Sequence, residues 1–199
     1  MKTITRSSIY LLALGFALGV TSNLPGADPT FASIDFPGAA STQAFGINPR
    51  GDIVGQYVSA GLTHGFLLSG GQFTTIDFPG ATVTRPRAIN PSGDIVGFYV
   101  DSAGVSHAFL LSAGAFTLVD FPGAAATRPR GINPSGDIVG FYVSAGLTHG
   151  FLLSGGQFTT IDIPGATLTD AEKINPRGDI VGFYVSAGLT HGFLLSRRE

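Results

Sequence analysis

Cysteine and tryptophan are absent from this chain, and its only methionine is the first residue. The lack of cysteine excludes disulfides, thiolate metal sites and cysteine nucleophiles. Charged residues make up only 12% of the 199 residues, and the net charge is −2. Proteins that bind nucleic acid neutralise phosphates with a basic surface. We therefore expect no nucleic-acid partner.

Glycine and proline are abundant, with 29 and 12 copies, and 44% of the residues are apolar. Disordered chains have a much lower apolar fraction. The composition therefore predicts a folded protein that is rich in turns.

The first 22 residues are typical of a secretory signal peptide. Lys2 and Arg6 precede the apolar run Ile9–Val20, and small residues follow at Thr21 and Ser22. The apolar run is short for a bilayer span, although an uncleaved anchor is the alternative. We expect a secreted or cell-envelope protein, extracellular or periplasmic, with no membrane association after cleavage. Residues 23–30 are interpreted as a linker and residues 197–199 as a tail.

The rest of the chain consists of four copies of one sequence repeat. The motif F-x-x-[IV]-D-[FI]-P-G-A starts at Phe31, Phe73, Phe116 and Phe158, at spacings of 42, 43 and 42 residues. Each copy continues with I-N-P-[RS]-G-D-I-V-G and then H-[GA]-F-L-L-S.

Each unit predicts four short strands separated by glycine-containing turns. In the first unit, strand A covers Ala44–Asn48, strand B Asp52–Val58, strand C Leu62–Leu68 and strand D Gln72–Phe78. Four antiparallel strands in about 42 residues are typical of a β-propeller blade.

The order of the strands favours a closed ring. The repeat region begins with a strand D, Phe31–Phe36, and ends with a strand C, His191–Ser196. We predict an all-β, four-bladed β-propeller over residues 31–196, in which Phe31–Phe36 completes the last blade and hides its edge. The alternative is an open half-ring that dimerises into eight blades.

The sequence His107-Ala108-Phe109, preceded by I-N and G-D-I-V-G, resembles the bacterial HAF extracellular repeat family. The other copies have His-Gly-Phe, and the resemblance covers nearly all of residues 31–196. It implies a secreted, propeller-like repeat protein and implies no catalytic residues. The leucines that follow the motif differ from the tryptophan that such repeats often carry (Leu68, Leu111, Leu153 and Leu195).

All four histidines occupy the same position in the repeat. Antiparallel pairing of strands C and D places an aspartate opposite each of them. The predicted pairs are His64 with Asp77, His107 with Asp120, His149 with Asp162 and His191 with Asp35. We interpret them as structural pairs that fix strand register, and the alternative is a catalytic dyad or a ring of metal ligands.

The repeats differ most at the start of strand A. Repeats 2 and 3 have T-R-P-R there, which supplies Arg85, Arg87, Arg128 and Arg130, whereas repeat 4 supplies Asp170 and Glu172. Variation at one spot of a constant scaffold indicates a candidate ligand site at the channel mouth. Arginine pairs suit carboxylate or sulfate groups. Ordinary variation of exposed charges is the alternative.

These patterns favour a non-enzymatic binding or scaffold module that recognises a glycan or a protein. A polysaccharide or a surface protein is the expected partner, and no catalytic residue, cofactor or metal is expected. The alternative is an extracellular hydrolase or lyase with its site at the channel mouth.

Overall fold

The computed structural model describes residues 30–196. The predicted signal peptide, residues 23–29 of the predicted linker and the tail at residues 197–199 lie outside the described residues. The chain divides into two portions, Met1–Ala32 and Ser33–Glu199. All the described strands belong to the second portion, and residues 30–32 of the first carry no regular structure.

The fifteen strands of residues 30–196 fall into four groups that match the four sequence repeats. Repeat 1 contains β1 (Ser41–Ile47), β2 (Ile53–Ser59), β3 (Leu62–Ser69) and β4 (Gln72–Ile76). Repeat 2 contains β5 (Val83–Ile89), β6 (Ile95–Val100), β7 (Ser106–Ser112) and β8 (Ala115–Leu118). Repeat 3 contains β9 (Ala126–Ile132), β10 (Ile138–Ser144), β11 (Leu147–Ser154) and β12 (Gln157–Ile161). Repeat 4 contains β13 (Leu168–Ile174), β14 (Ile180–Ser186) and β15 (Leu189–Leu195).

Within each repeat, successive strands pair antiparallel. A single parallel bridge joins Thr63 to Val83, and another joins Thr148 to Leu168. These bridges connect the repeats into one eight-stranded and one seven-stranded sheet. The prediction of an all-β fold made of short antiparallel strands is confirmed.

The turn between the first two strands follows from the I-N-P-x-G-D motif. In repeat 1 the Gly51 N–H donates to the Asn48 carbonyl oxygen over 3.0 Å, and Gly51 has φ +82°. That backbone region suits glycine because it has no Cβ. The same turn bond recurs in the other three repeats, so the motif sets the hairpin.

The strands bury both faces because the repeats pack on one another. Val54 and Ile76 of repeat 1 form one apolar cluster with Ile89, Ile95 and Phe109 of repeat 2. An equivalent cluster joins repeats 2 and 3, and a third joins repeats 3 and 4. The core therefore consists of the apolar interfaces between neighbouring repeats, and we call each such interface a joint. Packing on both sides explains the nearly continuous apolar sequence of the second strands.

Two apolar sheet faces at the ends of this series remain exposed. Val181 of repeat 4 is 45% exposed, whereas Val54, Val96 and Val139 at the same repeat position are fully buried. Ile47 of repeat 1 is 67% exposed, whereas its equivalent Ile89 is 8% exposed. Each of these end faces thus lacks the neighbour that covers it elsewhere in the chain.

The predicted closing strand differs from the structure, since residues 30–36 carry neither strand nor helix. Within the described residues β15 has β14 as its only strand partner, so repeat 4 remains three-stranded. Phe36 instead stacks on Tyr57 of repeat 1, with ring centroids 3.6 Å apart. The end of the segment is held by the first repeat and provides no strand to the last one.

Candidate functional site

The first strands of neighbouring repeats contact one another, namely β1 with β5, β5 with β9 and β9 with β13. These strands carry the divergent charged positions, so side chains from separate repeats meet in one place. Arg85 and Arg87 come from β5, Arg128 and Arg130 from β9. We call these four residues the arginine cluster.

A β-bulge occurs in each of these first strands. The strand register skips Phe45 in β1, Arg87 in β5, Arg130 in β9 and Glu172 in β13. A bulge bends its strand and re-aims the side chain of the extra residue. The bulge positions thus place two arginines and one glutamate at the candidate site.

Aromatic rings lie against every guanidinium of the cluster. The Cζ atoms of Arg85 and Arg128 lie 5.8 and 4.6 Å from the centroid of the same ring, Phe98. Arg87 lies 4.5 Å from the Phe45 ring, and Arg130 lies 5.0 Å from the Phe141 ring. Such cation–π contacts hold a guanidinium in a fixed orientation.

Two carboxylates from β13 face Arg130. Its Nη2 donates to Asp170 Oδ2 over 2.8 Å, and its Nε lies 3.4 Å from Glu172 Oε1. Asp170 is buried, and its carboxylate lies beside that of Glu172. Burial raises the pKa of Asp170 above its ordinary value, while the Arg130 hydrogen bond opposes that shift.

The positive charges of the cluster act on one another. Burial lowers the pKa of Arg87, and the nearby charges of Arg130 and Arg85 lower it further, whereas Glu172 opposes them. Burial also lowers the pKa of Arg128, with the same contribution from Arg130 and Arg85. Arginines remain charged at physiological pH even so.

The cluster leaves donors unpaired. The Nε atoms of Arg85 and Arg128 are buried and have no hydrogen-bond partner within residues 30–196. Arg128 uses one Nη2 bond, to the Ser106 hydroxyl at 3.0 Å. Four guanidiniums therefore meet two carboxylates, both of which face Arg130. The surplus positive charge of the cluster is suited to binding an anionic group.

The sequence pattern placed these arginines at the start of strand A. In the structure they are the third and fifth residues of β5 and of β9. The rings of Phe98 and Phe141 were not predicted as members of the site. Their position in G-F-Y, directly opposite Arg85 and Arg128 in the strand register, is the signal that identifies them.

Three of the four His–Asp pairs are present. The Nδ1 atoms of His64 and His149 each lie 2.8 Å from an Oδ2 atom, of Asp77 and Asp162 respectively. His107 Nδ1 lies 2.7 Å from Asp120 Oδ2, and its Nε2 lies 3.5 Å from Asp101, the residue inserted in this repeat. The hydrogen bond that the His107 ring donates to the Asp120 carboxylate is the main cause that raises the pKa of His107.

The fourth pair is not formed. His191 stacks on Tyr184, with centroids 5.0 Å apart, as the other three histidines stack on their tyrosines. Asp35 lies in the segment that carries no strand, so it is not brought opposite His191 by strand pairing. The pair depended on the closing strand, and it is absent for the same reason.

A second polar network was not predicted as such. Asn48 Nδ2 donates to Asp52 Oδ2 over 2.8 Å and to the Asn90 carbonyl oxygen of the next repeat over 3.3 Å. The Ser69 hydroxyl donates to Asp52 Oδ1 over 2.5 Å. The turn motif therefore ties together two strands of its own repeat and the neighbouring repeat.

Among residues 30–196, no group of three or more His, Cys, Asp or Glu side chains is arranged to hold a metal ion. The described part of the chain also contains no helix with the length and apolar character that a membrane crossing requires.

No protein-family model matches this chain, and no curated protein matches it. Among solved structures, the chain is similar to TolB from Acinetobacter baumannii, with a TM-score of 0.59 and 16% identity. The similarity covers 77% of this chain and 40% of TolB, so the chain spans about two-fifths of that protein's length. At this identity the likeness concerns the fold alone, which is β-propeller-like.

Proposed function

We propose that this chain is an exported, non-enzymatic binding module in which the four repeats are propeller blades. The arginine cluster is its ligand site, and the ligand is an anionic group, carboxylate or sulfate, on a polysaccharide or a surface protein. Support for export comes from Lys2 and Arg6 ahead of the apolar run at residues 9–20. The propeller-like likeness to TolB supports the blade assignment.

The observation that carries this proposal is the unbalanced charge of the cluster. Arg130 alone faces Asp170 and Glu172, which leaves the charges of Arg85, Arg87 and Arg128 without a carboxylate at ion-pair distance in the described residues. Burying a charge without a partner is unfavourable. A bound anion relieves that cost, since it pairs with the surplus guanidiniums.

The geometry also favours a planar or tetrahedral oxyanion. A guanidinium presents its donors in a rigid fork that matches carboxylate, sulfate and phosphate oxygens. Arg85 and Arg128 share the Phe98 ring, so their forks are held near each other before a ligand arrives. Such preorganisation reduces the entropy lost on binding.

The experiment is a binding titration of the full chain with three polymers. Polygalacturonate tests carboxylates, dextran sulfate tests sulfates, and neutral dextran is the reference. We expect saturable binding to at least one anionic polymer and none to neutral dextran. The double variant Arg85→Gln/Arg128→Gln should weaken that binding at least tenfold, about 1.4 kcal/mol or more.

The matched control is Arg197→Gln/Arg198→Gln, which removes the same charge from two arginines of the C-terminal tail, outside the described residues. It should leave the affinity nearly unchanged. Equal losses in both double variants would mean that overall charge, rather than the cluster, attracts the polymer. Turnover of a polymer that disappears in the Arg85→Gln/Arg128→Gln variant would replace the binding module with the hydrolase or lyase alternative.

A further inference from the structure

The two exposed end faces are the two halves of a joint that the chain already forms three times. We infer that a second copy of this chain covers them, so that repeat 4 of each copy packs on repeat 1 of the other. The resulting pair is a closed ring of eight repeats. This inference concerns assembly and goes beyond the proposed ligand site.

The apolar residues of the end faces have defined counterparts. In the internal joint between repeats 1 and 2, Val54 shares one cluster with Ile89. Val181 occupies the position of Val54, and Ile47 occupies the position of Ile89. Leu194 is 66% exposed, while its equivalent Leu67 packs against the internal cluster. A copy seated on repeat 4 therefore meets the same apolar surface as the internal joints.

Polar groups repeat this complementarity. Across the first internal joint, Asn48 donates to the Asn90 carbonyl oxygen, and Arg50 Nη1 donates to the Pro91 carbonyl oxygen over 2.8 Å. Asn175 and Arg177 hold the positions of Asn48 and Arg50 in repeat 4. The Arg177 side chain is 86% exposed, so it is accessible to an equivalent carbonyl oxygen on a second copy.

Residues 31–36, which precede repeat 1, have the sequence pattern of the strand that repeat 4 lacks, although they form no strand in the single chain. Phe36 stacks on Tyr57 just as Phe78 stacks on Tyr99, with centroids 3.6 and 3.7 Å apart. Phe78 follows β4, the last strand of repeat 1, so Phe36 stands where the last strand of a repeat packed against repeat 1 would end. A second copy provides a repeat 4 that lacks only this strand. Its β15 edge then pairs with the segment before Phe36, and its His191 faces Asp35.

The number of copies follows from the number of blades that known propellers contain. Propellers typically have four to eight blades. Two copies of four repeats give eight, whereas three give twelve. A twofold pair also closes, since each copy uses both of its end faces, while a joint that does not close produces filaments.

One residue of repeat 4 differs in size from its equivalents at the internal joints. Lys173 stands where Gly46, Ala88 and Gly131 occur in the other repeats. A Cβ added at Gly131 would lie 3.4 Å from the Lys173 Cα, so neighbouring repeats approach closely at this position. The longer side chain weakens the joint between copies relative to the internal ones. Replacing it with alanine, the residue of repeat 2, should therefore tighten the pair.

The first test is sedimentation velocity of the purified full chain, with intact mass spectrometry to fix the mass of one chain. We expect a species of two chains. Val181→Asp should raise the dissociation constant at least tenfold, and Lys173→Ala should lower it. Leu118→Asp is the control, because Leu118 is an exposed leucine on the outer strand of repeat 2.

A cross-linking test locates the joint. The chain has no cysteine, so the double variant Ile47→Cys/Val181→Cys contains the only two thiols. A short bifunctional thiol reagent should join two chains covalently. A single chain at all concentrations, open-ended polymers, a dimer that survives Val181→Asp, or a cross-link within one chain would each overturn the inference. The last result would indicate that one chain closes on itself.

Discussion

At the residue scale, the histidine pairs lie in a partly solvated setting. The His149 side chain bonds to Asp162, yet 44% of the Asp162 side chain is exposed. A carboxylate that retains access to water does not bear the full desolvation penalty when its partner is removed. The pairs therefore fix strand register at a modest energetic contribution.

His149→Ala should lower the free energy of unfolding by roughly 0.5–1.5 kcal/mol. His191→Ala is the matched control, since His191 has the same tyrosine contact but no carboxylate at ion-pair distance within the described residues. Both changes are measured by urea denaturation in the Val181→Asp background, in which we expect the chain to be monomeric. Equal losses would show that the tyrosine contact, and not the aspartate, carries the effect.

The asparagine–aspartate turns are more deeply buried than the histidine pairs. Asn48 and Asp52 are both buried, and the hydrogen bonds from Ser69 and Asn48 lower the pKa of Asp52. A carboxylate with a lowered pKa in the folded state stabilises the fold above its unfolded pKa. That stabilisation is lost as the pH falls through the folded value.

The stability of the chain should therefore decrease as the pH falls below about 4, where unfolded aspartates begin to bind protons. Asp52→Asn should make the free energy of unfolding less dependent on pH in this range. Urea denaturation at pH 6 and pH 3 measures the difference. A variant whose stability falls as steeply as that of the natural chain contradicts this role of Asp52.

At the element scale, the repeat predicted most strands within a few residues. The predicted strand C, Leu62–Leu68, corresponds to Leu62–Ser69, and strand B, Asp52–Val58, corresponds to Ile53–Ser59. Local signals sufficed, because glycine turns mark the ends and β-branched residues fill the strands. Phe31–Phe36 has the same signals but no strand, since an outer strand also needs an edge to pair with.

In a single chain, the joints between repeats contribute more to the free energy of unfolding than the exposed end faces do. Val139→Ala removes two buried methyl groups and should destabilise the chain by roughly 1–3 kcal/mol. Val181→Ala changes the same repeat position at the exposed end face and should cost less than about 1 kcal/mol. Chemical denaturation below the concentration at which chains associate compares them directly. Equal costs would contradict the packing of repeats described above.

The position of the arginine cluster illustrates the limit of sequence patterns. Divergence between repeats predicted a candidate set made of Arg85, Arg87, Arg128, Arg130, Asp170 and Glu172. The bulges at Arg87, Arg130 and Glu172 could not be predicted from alternation, because a bulge depends on the pairing of two strands. The rings beneath the guanidiniums follow from that pairing and were missed with it.

At the scale of the whole molecule, the overall composition gives no sign of the arginine cluster. The net charge of −2 over 199 residues excludes a broad basic surface, yet four arginines meet at the first strands of repeats 2 and 3. The repeated scaffold makes this possible, since three near-equivalent joints hold the strands while single positions vary. Such a local cluster supports the proposed anion site, whereas a diffuse positive field would support only non-specific attraction.

The central claim is that the arginine cluster binds an anion, and NMR of the arginine side chains tests it most directly. The Nε–H groups of Arg85 and Arg128 are buried, so they should exchange slowly with water, and Arg→Lys variants assign their signals. Adding a galacturonate or sulfated oligosaccharide should shift these two signals saturably and leave those of Arg50 and Arg177 in place. Signals that stay fixed with both ligands, or four signals that move together with ionic strength, would contradict the account.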